Sequence, residues 1–189
     1  MPSPSASPQD IISGVRVLEV LYQNREFDIL VRESYRRSRV PLLPYKVLET
    51  ILGSIRDRLD QAPDTGLNLY LKELTTQIFQ NSSKPLVTHP SMTVDEYVAL
   101  FTGNHLRWEA VGNIFAVVGR SLTATPANDT LFSGNLLPAR STLILQMAEA
   151  SDLCLSFCAH VSSANELLVA LQVNDVMLKT QQYGDSSMT

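Results

Sequence analysis

The chain has 189 residues, 44% of them hydrophobic, with a mean hydropathy near zero. That is enough to bury one sizeable core, as a single domain or as part of a larger one. A net charge of −4 and a pI near 5.3 exclude the basic footprint of a nucleic-acid reader, and no run of ~18 consecutive apolar residues is present to span a bilayer.

Residues 1–9 are Ser/Pro-rich and are predicted to form a flexible tail. The opening Met1-Pro2-Ser3-Pro4 has neither the charged start nor the apolar run of a secretory signal. The only cysteines are Cys154 and Cys158, so an intracellular, reducing compartment with free thiols is expected. The sequons at Asn81 and Asn128 are then read as chance matches.

Helical spacing begins at Asp10, with Ile11, Val15, Leu18 and Leu21 on one face, and breaks near Asn24. It resumes through Phe27, Leu30 and Val31 to about Arg37. The basic run Arg36-Arg37-Ser38-Arg39 reads as a solvated helix end in preference to an import or phosphate-contacting patch. Pro44 is predicted to open a helix whose stripe is Val47, Leu48, Ile51, Leu52, Ile55 and Leu59. The breaker set Ala62 to Gly66 separates it from a helix over Leu67 to Phe79, and Asn81 to Ser91 reads as a loop.

Thr93 and Glu96 form a capping box for a short helix reaching Leu100. Thr102 or Asn104 is expected to cap the next helix, which carries Trp108 and is apolar all round from Ala110 to Val118. That pattern predicts a central, buried helix. Gly112 and Gly119 weaken it by about 1 kcal/mol each relative to Ala, so close approach by a neighbouring helix is expected or, for Gly119, a place near the helix end. Thr123 to Pro138 reads as a loop, and a helix from about Arg140 to His160 follows. Ser163 and Glu166 read as a second capping box for a helix to about Tyr183, ended by Gly184 in the left-handed conformation. The sum is an all-α architecture of about seven helices.

Chemistry is sparse. Cys154 and Cys158 share a helical face, but zinc needs two more ligands. His160 falls on roughly the other side of the helix, and His89 and His105 are far away in sequence. The cysteines therefore read as buried structural thiols. Beside His105, Arg107 and Glu109 there is no activated nucleophile, phosphate loop or metal motif. Arg107 and Glu109 are two apart, so each is expected to pair with a different element. No catalytic, cofactor or metal site is assigned.

The run Phe101-Thr102-Gly103-Asn104-His105-Leu106-Arg107-Trp108-Glu109-Ala110-Val111-Gly112 holds the only Trp of the chain. It resembles the signature segment of the fungal-specific transcription factor regulatory domain, the middle homology region of zinc binuclear cluster regulators. Met92 to Leu100 is similar to the acidic helix that precedes the family's F-T-G-x-x-L-R-W-E segment. Ala148 to Cys158 is similar to its paired-cysteine helix, and Gln182 to Ser187 to its Tyr-Gly-Asp-Ser element. The resemblance covers Gly14 to Ser187, with Phe101, Thr102, Gly103, Leu106, Arg107, Trp108, Glu109 and Gly112 as its structural signature. The zinc cluster that binds DNA in those regulators is missing, and family members continue past Met188-Thr189. The resemblance thus implies that residues 10–189 are a partial regulatory domain without its own DNA-binding module.

It further implies a non-enzymatic transcription regulator in the nucleus, or in the cytoplasm if the short form is not imported. Such a module would act through protein partners, self-association or a small-molecule effector, without direct nucleic-acid or membrane binding. The alternative is a helical small-molecule-binding or accessory protein of a biosynthetic pathway. An enzyme with a cryptic helical active site is the third and weakest reading.

Overall fold

A computed structural model describes residues 6–24, 26–37, 42–63, 65–126, 129, 139–161 and 164–186. Among them are eight α-helices and no strand: α1 (Pro8–Gln23), α2 (Phe27–Arg37), α3 (Tyr45–Asp60), α4 (Leu67–Ser82), α5 (Val94–Ala99), α6 (Trp108–Ala124), α7 (Arg140–Val161) and α8 (Glu166–Ser186). A single 3-10 turn, Gly103–His105, precedes α6. The all-α class expected from the periodicity is what the chain adopts.

Several boundaries move for local reasons. α1 starts at Pro8, inside the stretch read as a tail, because Ser7 and Asp10 cap each other's backbone N–H groups. Residues 1–5 lie outside the described residues, as do Ser38, Arg39, Asn128, Ser163 and Ser187. α4 runs on to Ser82, so Asn81 is buried in its last turn, with its amide donating to the carbonyls of Asn104 and Leu106. The expected box at Thr93 and Glu96 is formed. For α8 the cap is Asn165, whose Oδ1 accepts from the Leu168 N–H. Gly184 does not stop α8, which continues to Ser186, and the positive-φ residues among those described are Gly66 and Gly103.

α6 is the axis of the molecule. Every residue from Trp108 to Gly119 is buried, and α2, α3, α4, α7 and α8 all pack against it. Its glycines set the register. A Cβ on Gly112 would come within 2.7 Å of Leu171 in α8 and 2.8 Å of Cys154 in α7. One on Gly119 would meet Leu178 at 2.8 Å and Met147 at 3.0 Å. Each partner is displaced by the same seven residues as the glycines. α8 therefore runs parallel to α6, while α7 runs back antiparallel between them. The missing side chains are what let three helices approach so closely.

Around this trio, Trp108, Phe79 of α4 and Phe157 of α7 form a triangle of rings, Trp108 lying 5.3 and 4.9 Å from the two and these 5.0 Å from each other, all edge-on or tilted. Phe27 of α2 meets Phe115 edge-on at 6.3 Å. The Arg140–Ala159 stretch of α7 is long and apolar enough to cross a membrane, but half of it is buried in the bundle. That is the behaviour of a core helix.

Two substitutions of the same kind should have opposite signs. Gly112→Ala is expected to cost about 1–3 kcal/mol through overpacking. Gly53→Ala in α3, where nothing lies within 4 Å of the new methyl, should instead stabilise by up to about 1 kcal/mol. Urea denaturation of both variants decides it, and equal signs would contradict the close approach at Gly112. By the same measurement Trp108→Ala should cost about 3–5 kcal/mol.

Candidate functional site

The signature run is a joint between helices. Phe101 is buried against the Tyr97 ring at 4.9 Å, and Thr102 Oγ1 donates to the Val98 carbonyl at 2.8 Å, closing α5. Gly103 then takes φ +59°, a left-handed conformation that glycine tolerates best. Its N–H donates to Ser54 Oγ of α3 at 2.6 Å. Leu106 is buried and, like Arg107 after it, has extended backbone.

Because Arg107 is extended, its side chain points away from α6 toward the end of α4. Its Nη1 donates to the carbonyls of Asn81 (2.8 Å) and Lys84 (2.9 Å), and its Nη2 to that of Ser82 (3.1 Å). Asn81 and Ser82 are in the last turn of α4 and Lys84 follows it, where carbonyls have no i+4 partner in the helix. Nη2 also donates to Glu109 Oε1 at 2.9 Å and Nε to Oε2 at 3.4 Å. The two side chains are 4% and 0% exposed, so the pair is removed from water. Ser82 Oγ accepts the Trp108 N–H at 2.8 Å. The end of α4 thus caps the start of α6, and Arg107 caps α4.

Two expectations are corrected here. Arg107 and Glu109 do meet, because Arg107 precedes the helix and the i,i+2 rule for helical faces does not govern it. Neither Thr102 nor Asn104 caps α6; the cap is Ser82, brought from α4. Asn104 serves elsewhere, its side chain accepting from Arg58 Nη1 at 2.8 Å.

The polar seam continues into the core. Glu109 Oε1 also accepts from Asn165 Nδ2 at 3.0 Å, tying the start of α8 to the pair. Asn113 Nδ2 donates to the Glu109 and Leu167 carbonyls, and its Oδ1 accepts from Asn174 Nδ2 at 3.1 Å. Asn174 Oδ1 in turn accepts from Arg120 Nη1 at 2.6 Å. On the far side of α8, Ser151 Oγ donates to Asp175 Oδ1, and Lys179 bridges Asp152 and Asp175. Burial works against the Lys179 charge, but its hydrogen bonds with those two carboxylates outweigh it and raise its pKa.

No group of three His, Cys, Asp or Glu side chains that could hold a metal occurs among the described residues. Cys154 and Cys158 are free and buried. Burial, and then the Glu109 carboxylate, push both thiols up from their ordinary pKa. They are poor nucleophiles and poor ligands in this state. His105 is exposed in the 3-10 turn, and His89 is exposed with Nδ1 at 2.7 Å from Ser91 Oγ. These groups do not converge on one point.

The surface has a polar hollow of about 600 Å³ between α3 and the 3-10 turn, lined by Ser54, Asp57, Arg58 and Asn104, and a more apolar groove of about 560 Å³ beside α8. Leu42, Leu86, Val169, Ala170 and Val173 form its walls, with Thr88 and Glu166 at one end. Outward from it, Val169, Val176 and Tyr183 are 53%, 62% and 68% exposed at a spacing of seven, an apolar stripe along the outer face of α8. Leu167, Leu171 and Leu178 face inward, so α8 is two-faced rather than apolar all round.

No protein-family model, no curated protein and no solved structure matches this chain. The sequence reading missed the groove and the inner polar set Asn113, Arg120, Asn165 and Asn174. The signal available was polar residues set inside apolar runs, above all Arg120 immediately after Gly119.

Arg107→Met should cost about 3–5 kcal/mol, since it strands Glu109 in the interior. Combining it with Glu109→Leu should recover part of that loss, a coupling of about 0.5–3 kcal/mol in a denaturation cycle. Additive losses would contradict the pair. Both thiols should resist a disulfide reagent at mildly alkaline pH in the native protein and react at once in denaturant. Fast labelling of the native chain would show that the α7 face is open.

Proposed function

We propose that this chain is a regulatory module of the fungal-specific transcription factor type, acting through contacts at its surface. The observation that carries the reading is the behaviour of the signature run. The residues that resemble the family's F-T-G-x-x-L-R-W-E segment work as one unit, joining α3, α4, α6 and α8 through Ser54, Ser82, Arg107, Glu109 and Asn165. A run with one combined structural job is what a family signature requires, and this supports the resemblance beyond matching letters. The acidic charge supports the absence of direct DNA contact.

The working surface in this reading is the groove and the outer stripe of α8. Exposed Val169 and Val176 next to a groove of that size suit a protein partner, a second copy or a small apolar effector. The chain would act in the nucleus, or in the cytoplasm if not imported. A second reading, a helical small-molecule-binding or accessory protein unconnected with transcription, is favoured by the groove alone.

The test tethers the chain to a heterologous DNA-binding domain in a fungal host and measures a reporter. The tethered chain should shift expression several-fold, and Val176→Glu, at an exposed position, should abolish the shift while leaving the helical spectrum unchanged. A reporter indifferent to tethering, with the untethered chain excluded from nuclei, would overturn the regulatory reading and favour the second.

A further inference from the structure

Among the arginines without a carboxylate partner in the described residues, which include Arg58 and Arg140, Arg120 lies beside the groove. Arg120 lies in α6 one turn short of its C-terminus, half-buried. Its one side-chain hydrogen bond among the described residues is the 2.6 Å bond from Nη1 to Asn174, and its Nε is buried with no partner. No carboxylate among the described residues pairs with it. The Tyr35 hydroxyl, at the same hollow, is no substitute. Tyr35 donates its O–H to the Leu43 carbonyl, and burial pushes its pKa up to about 12, so it stays neutral. A half-buried guanidinium gives up part of its hydration and, without an anion, gains no ion pair in return. Consistent with that loss, burial lowers the Arg120 pKa, against the opposing pull of Tyr35.

Beside Arg120 is a small hollow bounded by Ser34, Tyr35, Leu42 and Asn174, with a free volume of about 10 Å³. That is room for a single water or one carboxylate oxygen. The hollow adjoins the apolar groove. Leu42 is a wall of both, and Ala170 in the groove lies one turn from Asn174 in the hollow on the same face of α8. A charged niche therefore sits at the edge of an apolar trough of about 560 Å³, within the size range of small-molecule sites.

The other polar end of the groove argues less. Glu166 lies about 12 Å from Asn174 along α8, in the first turn of that helix. There the helix N-terminus already favours a carboxylate, and Thr88 Oγ1 stands 3.3 Å away. Its charge is accounted for by the fold. The charge of Arg120 is not.

We propose that the groove binds an amphiphilic carboxylic acid, with the carboxylate on Arg120 and the apolar body along Val173, Ala170 and Val169. The inference rests on the reading of this groove as an effector site and names the class of effector.

The experiment titrates the full chain with dansyl-undecanoic acid and follows the dansyl fluorescence, with undecanoic acid, undecanol and undecylamine as competitors. Saturable binding is expected, displaced by undecanoic acid and by the other two at least roughly tenfold less well, as the loss of one charge-assisted contact implies. Arg120→Gln should weaken binding roughly tenfold or more, and Arg120→Lys by less. Val173→Glu, at a partly exposed position, should abolish binding by repelling the carboxylate, with the helical spectrum unchanged. Absence of saturable binding overturns the proposal. So does unaltered affinity in a folded Arg120→Gln variant, or stronger competition by undecylamine, which would point to Glu166. A tethered reporter effect that persists when the probe does not bind removes the ligand class and leaves the regulatory reading standing.

Discussion

Burying a guanidinium as fully as Arg107 is costly unless its donors are occupied, and the fold around Arg107 is arranged by that demand. The side chain finds three carbonyls at the end of α4 and a carboxylate two residues ahead of it. To offer those carbonyls, α4 must stop beside the start of α6. To offer its hydroxyl to Trp108, Ser82 must be the residue at which it stops. Glu109 then holds Asn165, so the start of α8 is fixed by the same group of contacts. A buried ion pair is weak evidence for stability as such. Its contribution here is specificity: the polar groups at three helix ends satisfy one another in one arrangement. Arg140 repeats the device at the other end of α6, donating to the Leu122 and Thr123 carbonyls at 2.8 and 2.9 Å.

Along α6 the same logic is carried by shape. Gly112 and Gly119 admit Leu171 and Leu178 from α8, and Cys154 and Met147 from α7. The Asn113–Asn174 pair sits between these layers and admits one register, as a single buried Asn does in a coiled coil. Displacing α8 by a residue would leave two amides unpaired in the core, at about 1–3 kcal/mol for each stranded group. α8 is thereby committed to α6 on one face. Its other face is left with Val169, Val176 and Tyr183 exposed.

Helical class, the central helix and the close approach at its glycines were legible in the sequence, because each depends on periodicity or on the missing Cβ of glycine. The Thr93–Glu96 box was legible because it closes over three residues. The Arg107–Glu109 contact was not. It depends on where α6 begins, and that is decided by Ser82, twenty-six residues away. The part of Asn165, whose Oδ1 accepts from the Leu168 N–H while its Nδ2 meets Glu109, was not legible, because Glu109 comes to it from another helix. Gly184 read as a stop, but a glycine ends a helix only where the chain needs a left-handed residue, and α8 runs through it. The groove arises from Leu42, Leu86 and α8 meeting in space, and the hollow at Arg120 from Tyr35, Leu42 and Asn174 doing the same, which no local pattern encodes.

The account places the joint at Arg107 among the last parts of the molecule to open. Native-state hydrogen exchange of the Trp108 amide, the one held by Ser82, tests that most directly. It should exchange with the same free energy as global unfolding, matching the Phe115 amide in the middle of α6. Exchange of Trp108 through a local opening, orders of magnitude faster than Phe115, would mean that α4 and α6 part without unfolding the core. The joint would then be an ornament of the fold and not what organises it.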